Sequence, residues 1–413
     1  MRNPESSELA VSGIGVVSAI GQGQAAFTAA LMAGRQRFGV MRRPGRQLPD
    51  GAGGASFIGA ELEALALPAA LPPTLLRTVS LAGQAALATL DEAWCDARLD
   101  DVDPQRIGLV IGGSNFQQRE LGLIHDAYRG RASFLRPSYA MSFMDSDVCG
   151  LCTEVFGIRG FAYTVGGASA SGQVAVLEAI EAVRSGRADV CIALGALMDL
   201  GYWECQAFRS IGAMGTDRYV QQPERACRPF DRDCDGFIFG EACGALVVER
   251  ADGAARACVR RYARLTGCAV GSDGNRAPNP SLDGEIAAIR SALERAGLRP
   301  DEIDYVNPHG TGSALGDRTE LQALRECGLD GAHLNTTKSV TGHGLCAAGA
   351  VELIAVLVQM RAGQLHPSLN LEQPVETGFN WVRDRAVPHA IGHALNLSMG
   401  FGGINTAVCV SQY

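Results

Sequence analysis

Lysine is almost absent from this sequence: its 413 residues contain a single lysine, Lys338, and arginine supplies every other long basic side chain. Acidic residues outnumber basic ones, and the formal net charge is -8 at pH 7. Because nucleic acid is bound mainly by basic surfaces that neutralise phosphates, this balance argues against nucleic acid as a general partner. An acidic partner would have to dock on a local group of arginines.

The sequence also shows neither long apolar runs nor the pattern of a leader segment. Glycine, serine or a charged residue interrupts each apolar stretch before the roughly 18 residues that a membrane span needs. The first residues, MRNPESSELAVSG, lack the charged-then-apolar arrangement of a signal peptide. With 47% hydrophobic and 19% charged residues, the composition is that of a globular protein. We therefore expect a cytoplasmic protein without membrane association.

The cysteines lack the arrangement of a metal site. The sequence has 13 of them, an odd number, scattered through apolar contexts, which indicates buried thiols in a reducing compartment. Cys149 and Cys152 form one CxxC pair, but neither a second pair nor histidines at ligand spacing accompany it. We expect no metal ion and no bound cofactor.

The sequence does have an alternation of strand-like and helical segments, which is typical of layered α/β proteins. Its length of 413 residues favours two packed halves. A strand-like run that ends in Glu-Arg-Ala-Asp-Gly places their junction near residue 252, so the predicted halves are residues 1–252 and 253–413. The arginine- and glycine-rich stretch 35–54 is predicted to be a surface loop. Buried strands are predicted at 108–112, 190–197 and 303–306, and helices at 172–184, 283–296, 317–327 and 347–361.

Four segments contain residue types that support chemistry. The first, residues 161–172, runs from a strand through a glycine-rich turn into a helix. Ser169 stands on this turn, at a helix N-terminus where unpaired backbone N–H groups favour negative charge. Taken alone, the segment is explained by a serine, Ser169 or Ser171, that merely caps the helix.

The second and third segments supply two histidines and the lone lysine. In residues 305–320 a strand delivers His309 into a loop of small residues, where the imidazole is placed to face a cleft. Residues 335–352 contain Lys338 and His343. Arginine and lysine are not equivalent at buried sites, so a lysine kept only here indicates a specific role, with a solvated lysine left by chance as the alternative.

The fourth segment, residues 396–405, is a glycine-rich stretch near the C-terminus. Its glycines let the backbone approach a ligand closely, and a single phenylalanine, Phe401, is held between them. An ordinary glycine-rich turn would not need that ring. Each of the four segments, taken separately, indicates little.

Together, in this order and at these separations, the segments resemble the β-ketoacyl synthase family, the condensing enzymes of fatty-acid and polyketide assembly. The resemblance extends over essentially the whole chain, since residues 228–241 look like a family signature and residues 366–374 look like the family's C-terminal segment. It implies a thiolase-like α/β fold of two pseudo-duplicated halves in five α-β-α-β-α layers. It also implies a homodimer that acts on acyl groups carried on the phosphopantetheine arm of an acyl carrier protein.

By the same resemblance, His309 and His343 correspond to the two active-site histidines and Lys338 to the active-site lysine. Phe401 corresponds to the phenylalanine beside the nucleophile, in a pocket segment that also contains Met399 and Gly402. Asp317 and Glu320 match acidic residues that support the loop around His309. Met399 and the pair Gly166-Gly167 differ from the common pattern, so the acyl pocket is expected to differ as well.

The main departure lies at Ser169, where the family has its cysteine nucleophile. A thiol at a helix N-terminus reaches the thiolate state because its pKa falls there, whereas a serine hydroxyl is far less acidic. An oxyester would also be a poorer acyl donor than a thioester. We therefore expect condensation to be lost or very slow.

Decarboxylation of a malonyl thioester needs donors aimed at the thioester oxygen, and His309 and His343 offer two imidazole N–H groups. In this interpretation Phe401 desolvates the carboxylate, and Lys338 orients the surrounding loop and carboxylates without touching the reacting atoms. The residues favour a malonyl-[acyl carrier protein] decarboxylase. The chain is similar to serine-bearing synthase homologues of polyketide β-branching cassettes, which implies that the acetyl product feeds a hydroxymethylglutaryl synthase-like enzyme.

Two other functions are compatible with the sequence. A chain-length-factor-like subunit would only pair with an active synthase, although such a subunit has little use for both histidines and the lysine. A transferase or condensing enzyme would instead form a lasting acyl ester on Ser169, with a histidine as base.

The surface that docks the carrier protein is poorly specified by the sequence. Arg77 is one choice. The densest basic run is the alternative, and it consists of Arg35, Arg37, Arg42, Arg43 and Arg46.

Overall fold

The computed structural model describes residues 8–48, 54–69, 71–251 and 256–413. The half-chain junction predicted at residue 252 lies outside these residues, as do positions 49–53 of the predicted loop. The strands are β1 (Leu9–Ser18), β2 (Gly21–Gln22), β3 (Gly39–Val40), β4 (Ile58–Ala60), β5 (Ile107–Gly112), β6 (Phe161–Val165), β7 (Val190–Gly195), β8 (Phe239–Gly240), β9 (Ala242–Arg250), β10 (Ala263–Ser272), β11 (Tyr305–Asn307), β12 (His333–Leu334), β13 (Gln364–Leu365), β14 (Asn380–Trp381), β15 (Val387–Pro388), β16 (His393–Gly400) and β17 (Ile404–Gln412).

The α-helices are α1 (Gln24–Met32), α2 (Pro73–Leu76), α3 (Leu81–Ala97), α4 (Gln118–Tyr128), α5 (Tyr139–Ser142), α6 (Ser146–Phe156), α7 (Ser171–Arg184), α8 (Tyr202–Ser210), α9 (Leu282–Ala296), α10 (Ala314–Glu326), α11 (Lys338–Thr341) and α12 (Ala348–Ala362). The predicted strands and helices lie close to these bounds. The largest difference among the helices is at α10, which begins three residues before the predicted start because Ser313 acts as its N-cap and accepts from the backbone N–H of Gly316. The predicted strand 190–197 ends earlier, at Gly195.

The two halves of the chain repeat one sheet pattern. In the first half the strand order is β6-β5-β7-β9-β1, and in the second half it is β12-β11-β16-β17-β10, with β14 beside β12. In both sheets the first two pairings are parallel and the next two are antiparallel. The sheets join where β1 pairs with β10. This repetition is what a pseudo-duplicated fold predicts.

Helices cover both faces of each sheet. The apolar faces of α7 and α12 pack together between the two sheets in one large core. The outer face of the first sheet is covered by α3 and α6, and the outer face of the second sheet is covered by α9 and α10. The resulting order of layers is α-β-α-β-α, as the resemblance implied.

The central helix α12 corrects one expectation from the sequence. The segment Leu345–Ala362 is apolar and long enough to span a membrane by composition and length, although no stretch of that kind was expected. In the folded chain 89% of that segment is buried inside the protein. A helix that is apolar on every side is typical of the interior of a layered fold, where both of its faces meet a sheet.

The duplication also explains where the chemical segments meet. The turn after β6 leads through Ser169 into α7, and the chain after β12 leads through Lys338 and His343 into α12. These are equivalent positions in the two halves. Because α7 and α12 are neighbours in the central layer, the turns at their N-termini lie side by side.

Candidate active site

Ser169 lies in a 3-10 turn, Ala168–Ala170, directly before α7. Ala168 has a positive φ of 47°, a conformation that an L-residue adopts only under constraint. Ser171 supplies the local backbone bonds: its Oγ accepts from the Gly167 N–H at 2.9 Å and donates to the Ala168 carbonyl at 2.7 Å. The hydroxyl of Ser169 is therefore not needed as a helix cap.

The Ser169 hydroxyl instead contacts His343. The distance from Ser169 Oγ to His343 Nε2 is 3.0 Å. Ser398 Oγ, near the end of β16, lies 3.4 Å from the carbonyl oxygen of Ser169 and donates to it, so this strand also holds the serine turn. The side chain of Ser169 is thus fixed between the two halves of the chain.

His309 follows the carboxyl end of β11 on a loop that two buried carboxylates hold in place. Glu320 accepts the backbone N–H groups of His309 and Gly310 at 2.6 and 2.8 Å. Asp317 accepts the N–H groups of Thr311 and Gly312 at 3.2 and 3.1 Å, and that of Phe230 at 2.6 Å. Both acidic residues therefore contact the loop through its main chain.

Lys338 is buried behind His309, with 2% of its surface exposed. Its Nζ donates to the carbonyl oxygen of His309 and to Glu352 Oε1, and lies 3.4 Å from His309 Nδ1. An ammonium has no lone pair to offer, so Nδ1 must be the acceptor in that contact. The neutral ring of His309 then carries its proton on Nε2, the nitrogen that faces away from the lysine.

His343 stands edge to face with His309, with ring centroids 5.5 Å apart and an interplanar angle of 84°. The ring of Phe237 packs against its other side at 5.2 Å. His343 Nδ1 is buried without a hydrogen-bond partner among the described residues. A buried N–H group without a partner is more costly than a buried acceptor without one. Nδ1 is therefore better left unprotonated, which places the proton on Nε2, beside Ser169.

Both imidazoles are neutral near pH 7. Burial and then the Lys338 ammonium lower the pKa of His343 well below its ordinary value. The same two causes, followed by His343 itself, lower the pKa of His309 in the same direction. Each ring therefore presents an N–H donor without a full positive charge.

The residues meet at one cavity of about 510 Å³. Ser169, His309, His343, Met399 and Phe401 all line it. Phe401 is 41% exposed, with its ring 6.4 Å from that of Phe208, and so stands at the mouth. Gly402, which was assigned to the pocket from the sequence, lies at the exposed tip of the β16–β17 turn and does not line the cavity. Lys338 does not line it either.

Three residues of the site carried no role in the sequence interpretation. Glu352 holds Lys338, and its signal was present: it is the one acidic residue within the apolar α12. Phe237 and Glu285 also line the cavity. Phe237 lies within the 228–241 signature, although no role was assigned to its ring. No local pattern marks Glu285, because only the fold brings its segment to the histidines.

The cysteines offer no alternative nucleophile in the cavity. Cys346 lines it, but burial raises the pKa of this thiol and keeps it protonated. Cys149 and Cys152 are unpaired thiols of α6 that are buried in the core. Within the described ranges no three or more His, Cys, Asp or Glu side chains are grouped so as to hold a metal ion.

The basic run proposed as a docking surface needs correction. Arg46 is fully buried, and Arg43 is mostly covered and bound to Glu241. Only Arg35, Arg37 and Arg42 are exposed, and Arg37 pairs with Glu63. The run is basic in the sequence, but in the folded chain two of its arginines, Arg43 and Arg46, belong to an ion cluster that is largely buried. Arg77 is exposed.

Family models match both halves of the chain. The N-terminal domain of β-ketoacyl synthases matches residues 6–254, and the C-terminal domain matches residues 262–372. The chain therefore belongs to the β-ketoacyl synthase family, and the resemblance predicted from the motifs is confirmed together with its thiolase-like fold.

Individual relatives narrow the comparison. The polyketide biosynthesis malonyl-ACP decarboxylase PksF of Bacillus subtilis (strain 168) is 57% identical over 98% of this chain and 96% of its own length. The ishigamide ketosynthase/chain length factor has a TM-score of 0.89 at 26% identity and covers 98% of this chain and 99% of its own. A ketosynthase solved in complex with its type II PKS acyl-carrier protein has a TM-score of 0.87 at 25% identity. The match covers 98% of this chain and 99% of that one.

Proposed function

We propose that this chain decarboxylates malonyl groups carried on an acyl carrier protein, releases acetyl carrier protein, and does not condense. The observation that carries the proposal is the pair of neutral imidazoles that line one cavity beside a serine, 3.0 Å from His343 Nε2, where the family has a thiol. The 57% identity to a malonyl-ACP decarboxylase supports the same activity.

The two imidazoles suit the charge that this reaction develops. When the bond between Cα and the carboxylate breaks, carbon dioxide leaves and the electron pair passes to the thioester oxygen as an enolate. His309 and His343 each present a donor at Nε2, both rings line the same cavity, and their centroids lie 5.5 Å apart. In the proposed mechanism both N–H groups address one oxygen. One preorganised donor of this kind is worth about 3 kcal/mol of the barrier.

Lys338 contributes by holding His309. Its contacts to the His309 carbonyl, to Nδ1 and to Glu352 fix both the position of the ring and the tautomer that makes Nε2 a donor. The lysine lies outside the cavity, so it acts as a positioning residue and not as a group that touches the substrate.

The apolar walls suit loss of a carboxylate. Phe237, Met399 and Phe401 line the cavity, and the ring of Phe237 contacts His343. A malonyl carboxylate among them would exchange hydration for apolar contact, which favours its departure as neutral carbon dioxide. This contribution is secondary to that of the donors.

Condensation is disfavoured because the site has no thiolate. A serine hydroxyl does not ionise at neutral pH, and burial keeps the thiol of Cys346 protonated. We propose that Ser169 acts through its hydrogen bond to His343, without forming a covalent intermediate.

The physiological setting is proposed by resemblance. The acyl group would arrive on the phosphopantetheine of a carrier protein, and a ketosynthase of the same fold binds such a protein. We place the chain in the cytoplasm as a homodimer that supplies acetyl carrier protein to polyketide β-branching.

Incubation with malonyl carrier protein, followed by intact mass spectrometry of the carrier, tests the proposal. We expect the malonyl form to lose carbon dioxide and become the acetyl form, and a His309→Ala/His343→Ala variant to leave it unchanged over the same time. Persistence of malonyl carrier protein with the folded wild-type chain would falsify the proposal.

A second candidate rests on the same 3.0 Å contact. If the Ser169 hydroxyl donates to His343 Nε2, the pair has the geometry of a nucleophile and its base. An acyltransferase of this kind would accumulate an ester on Ser169. Peptide mapping after incubation with acyl carrier protein distinguishes the two functions, since a decarboxylase leaves Ser169 unmodified.

A further inference from the structure

Glu285 is a buried carboxyl group that the mechanism above does not use. It lies in the first turn of α9, is 2% exposed, and lines the same cavity as His309 and Ser169. Its Oε2 has no hydrogen-bond partner among the described residues. A buried carboxyl group without a donor is costly, so its presence in a cavity wall calls for an explanation.

The amide of Asn405, beside the helix turn that carries Glu285, is committed elsewhere. Asn405, which packs on the same turn of α9, donates its amide to Asp273 at 3.0 Å and to the Gly403 carbonyl at 3.2 Å. No ion pair within the described ranges includes Glu285. The residue therefore meets neither a cation nor a donor that would stabilise its charged form.

Glu285 differs in this respect from the two carboxylates near it. Glu320 accepts two backbone N–H groups, and Asp317 accepts three. Burial, followed by the charges of Glu320, Asp273 and Asp317, raises the pKa of Glu285 well above its ordinary value. Burial also raises the pKa of Glu320 to about 7 and that of Asp317 to about 6, but of these three carboxyl groups Glu285 alone has no hydrogen-bond donor, in the described part of the chain, to stabilise its charged form.

The proposed decarboxylation requires a proton. Loss of carbon dioxide leaves an enolate, and only protonation at Cα turns it into an acetyl group. The two imidazoles are neutral and are engaged with the oxygen, which makes them poor proton donors to carbon. A condensing enzyme has the opposite need, because a proton source in its cavity would quench the carbanion before it attacked the acyl group.

We propose that Glu285 supplies the proton that converts the enolate into the acetyl product; this inference rests on the proposed decarboxylase function. The Glu285 O–H bond breaks as the enolate electron pair forms a C–H bond at Cα and the thioester carbonyl is restored. Glu285 is left as a carboxylate and regains a proton from water that enters the cavity. The net reaction consumes one malonyl carboxylate and one proton, and yields acetyl thioester and carbon dioxide.

The test compares Glu285→Gln with Glu294→Gln. The first variant keeps the size and neutrality of the side chain but has no acidic proton. The second makes the same change at an exposed position of the same helix. Each protein is given malonyl carrier protein in an equimolar mixture of light and heavy water, and the deuterium content of the acetyl group is measured by mass spectrometry together with kcat and KM.

We expect Glu285→Gln to shift the hydrogen-to-deuterium ratio of the product, because water replaces a carboxylic acid as the donor, and to lower kcat on the order of 100-fold with little change in KM. Glu294→Gln should match the wild type in both respects. A ratio identical to that of the wild type overturns the inference, whether or not kcat falls, because a purely structural change does not alter the donor.

Chemical rescue gives a second and independent measurement. Glu285→Ala removes the carboxyl group and leaves room for a small acid, so added formate should restore at least part of the lost rate. Absence of rescue in a folded Glu285→Ala variant contradicts the role of the carboxyl group. Failure of the wild-type chain to decarboxylate at all would instead contradict the proposed function, so the two failures are distinguishable.

Discussion

Two of the buried charge clusters among the described residues are balanced differently. In the first, Arg46 is fully buried and contacts the carboxylates of Glu61, Asp199 and Glu241, while Arg43 adds a second guanidinium to Glu241. Burial acts to raise the pKa of Glu241, but Arg46 and Arg43 more than offset it and the pKa is lowered. Every charge in this cluster has a partner of opposite sign.

In the second cluster one ammonium, that of Lys338, faces several carboxyl groups. Lys338 pairs with Glu352, yet burial raises the pKa of Glu352 to about 7 in spite of that contact. Burial likewise raises the pKa of Glu320 to about 7. In the first cluster every carboxylate contacts a guanidinium, so the cluster acts as a structural clamp. In the second cluster a single ammonium serves several carboxyl groups whose pKa values are raised, and this environment surrounds the candidate site.

Removal of Arg46 should produce the largest effect and test the clamp. Arg46→Met removes the buried guanidinium that three carboxylates share and leaves only Arg43 on Glu241 and Arg119 on Asp199, which should lower the free energy of unfolding by about 3–5 kcal/mol. Thermal or denaturant unfolding measures the loss. Arg106→Met, which breaks an exposed pair with Asp189, should cost no more than about 1 kcal/mol. Equal losses in the two variants would contradict the distinction between the clusters.

Removal of one imidazole should produce the next largest effect, on rate and not on stability. His343→Ala deletes one of the two proposed N–H donors to the enolate oxygen, worth about 3 kcal/mol of barrier, or on the order of 100-fold in kcat. His125→Ala, at an exposed histidine on α4, is the matched control and should not alter kcat. A His343→Ala enzyme with wild-type kcat would show that this ring does not stabilise the transition state.

Replacement of Lys338 tests the second cluster directly. Lys338→Met removes the contact that fixes the His309 tautomer, so kcat should fall on the order of 10-fold. The loss of stability should be smaller than for Arg46→Met, because Glu352 is able to hold a proton once its cation is gone. Both quantities are measured on the same preparation. A loss of stability as large as that of Arg46→Met would indicate that the two clusters have the same role.

The pH dependence should reflect the neutral histidines. Only the uncharged rings are the proposed donors, and their pKa values lie well below the ordinary 6.5. As pH falls, kcat should therefore stay level through pH 6.5 and decline only at lower pH, where the imidazoles take up protons. A plot of log kcat against pH that bends near 6.5 would contradict this expectation.

Replacement of Ser169 should have the smallest effect. Ser169→Ala removes one hydrogen bond to His343 and should reduce kcat by only a few-fold, on the scale of about 1 kcal/mol for a single hydrogen bond. Complete loss of activity would favour the acyl-ester mechanism instead. Ser169→Cys is the companion variant, in which recovery of condensation would show that the serine alone separates this chain from a condensing enzyme.

The fold and the position of the histidines could be predicted because they depend on local pattern. The strand before His309, the glycine-rich turn at Ser169 and the helices α7 and α12 are each marked by short runs of sequence. The order and spacing of those runs match the β-ketoacyl synthase family, and the layered architecture was predicted from that resemblance. The duplication then brings the two turns together, and this follows from topology once the halves are recognised.

Other features could not be predicted because they depend on contacts across the chain. Arg46 stands in a basic run, and its burial is visible only when Glu241, almost 200 positions later, is placed against it. Glu285 falls on an ordinary amphipathic helix, and only packing turns it towards the cavity. Gly402 was assigned to the pocket because it follows Phe401. It lies one residue further along a tight turn, however, and is exposed to solvent there.

Because the sequence contains a single lysine, chemical labelling of lysine reports on one position, the wall behind His309. The only ε-amino group of the sequence is that of Lys338, which is 2% exposed. Amine-selective acylation of a side chain can therefore occur only when the wall behind His309 opens. The rate of lysine labelling in the wild-type protein should thus measure the opening of the catalytic centre directly, without an engineered probe.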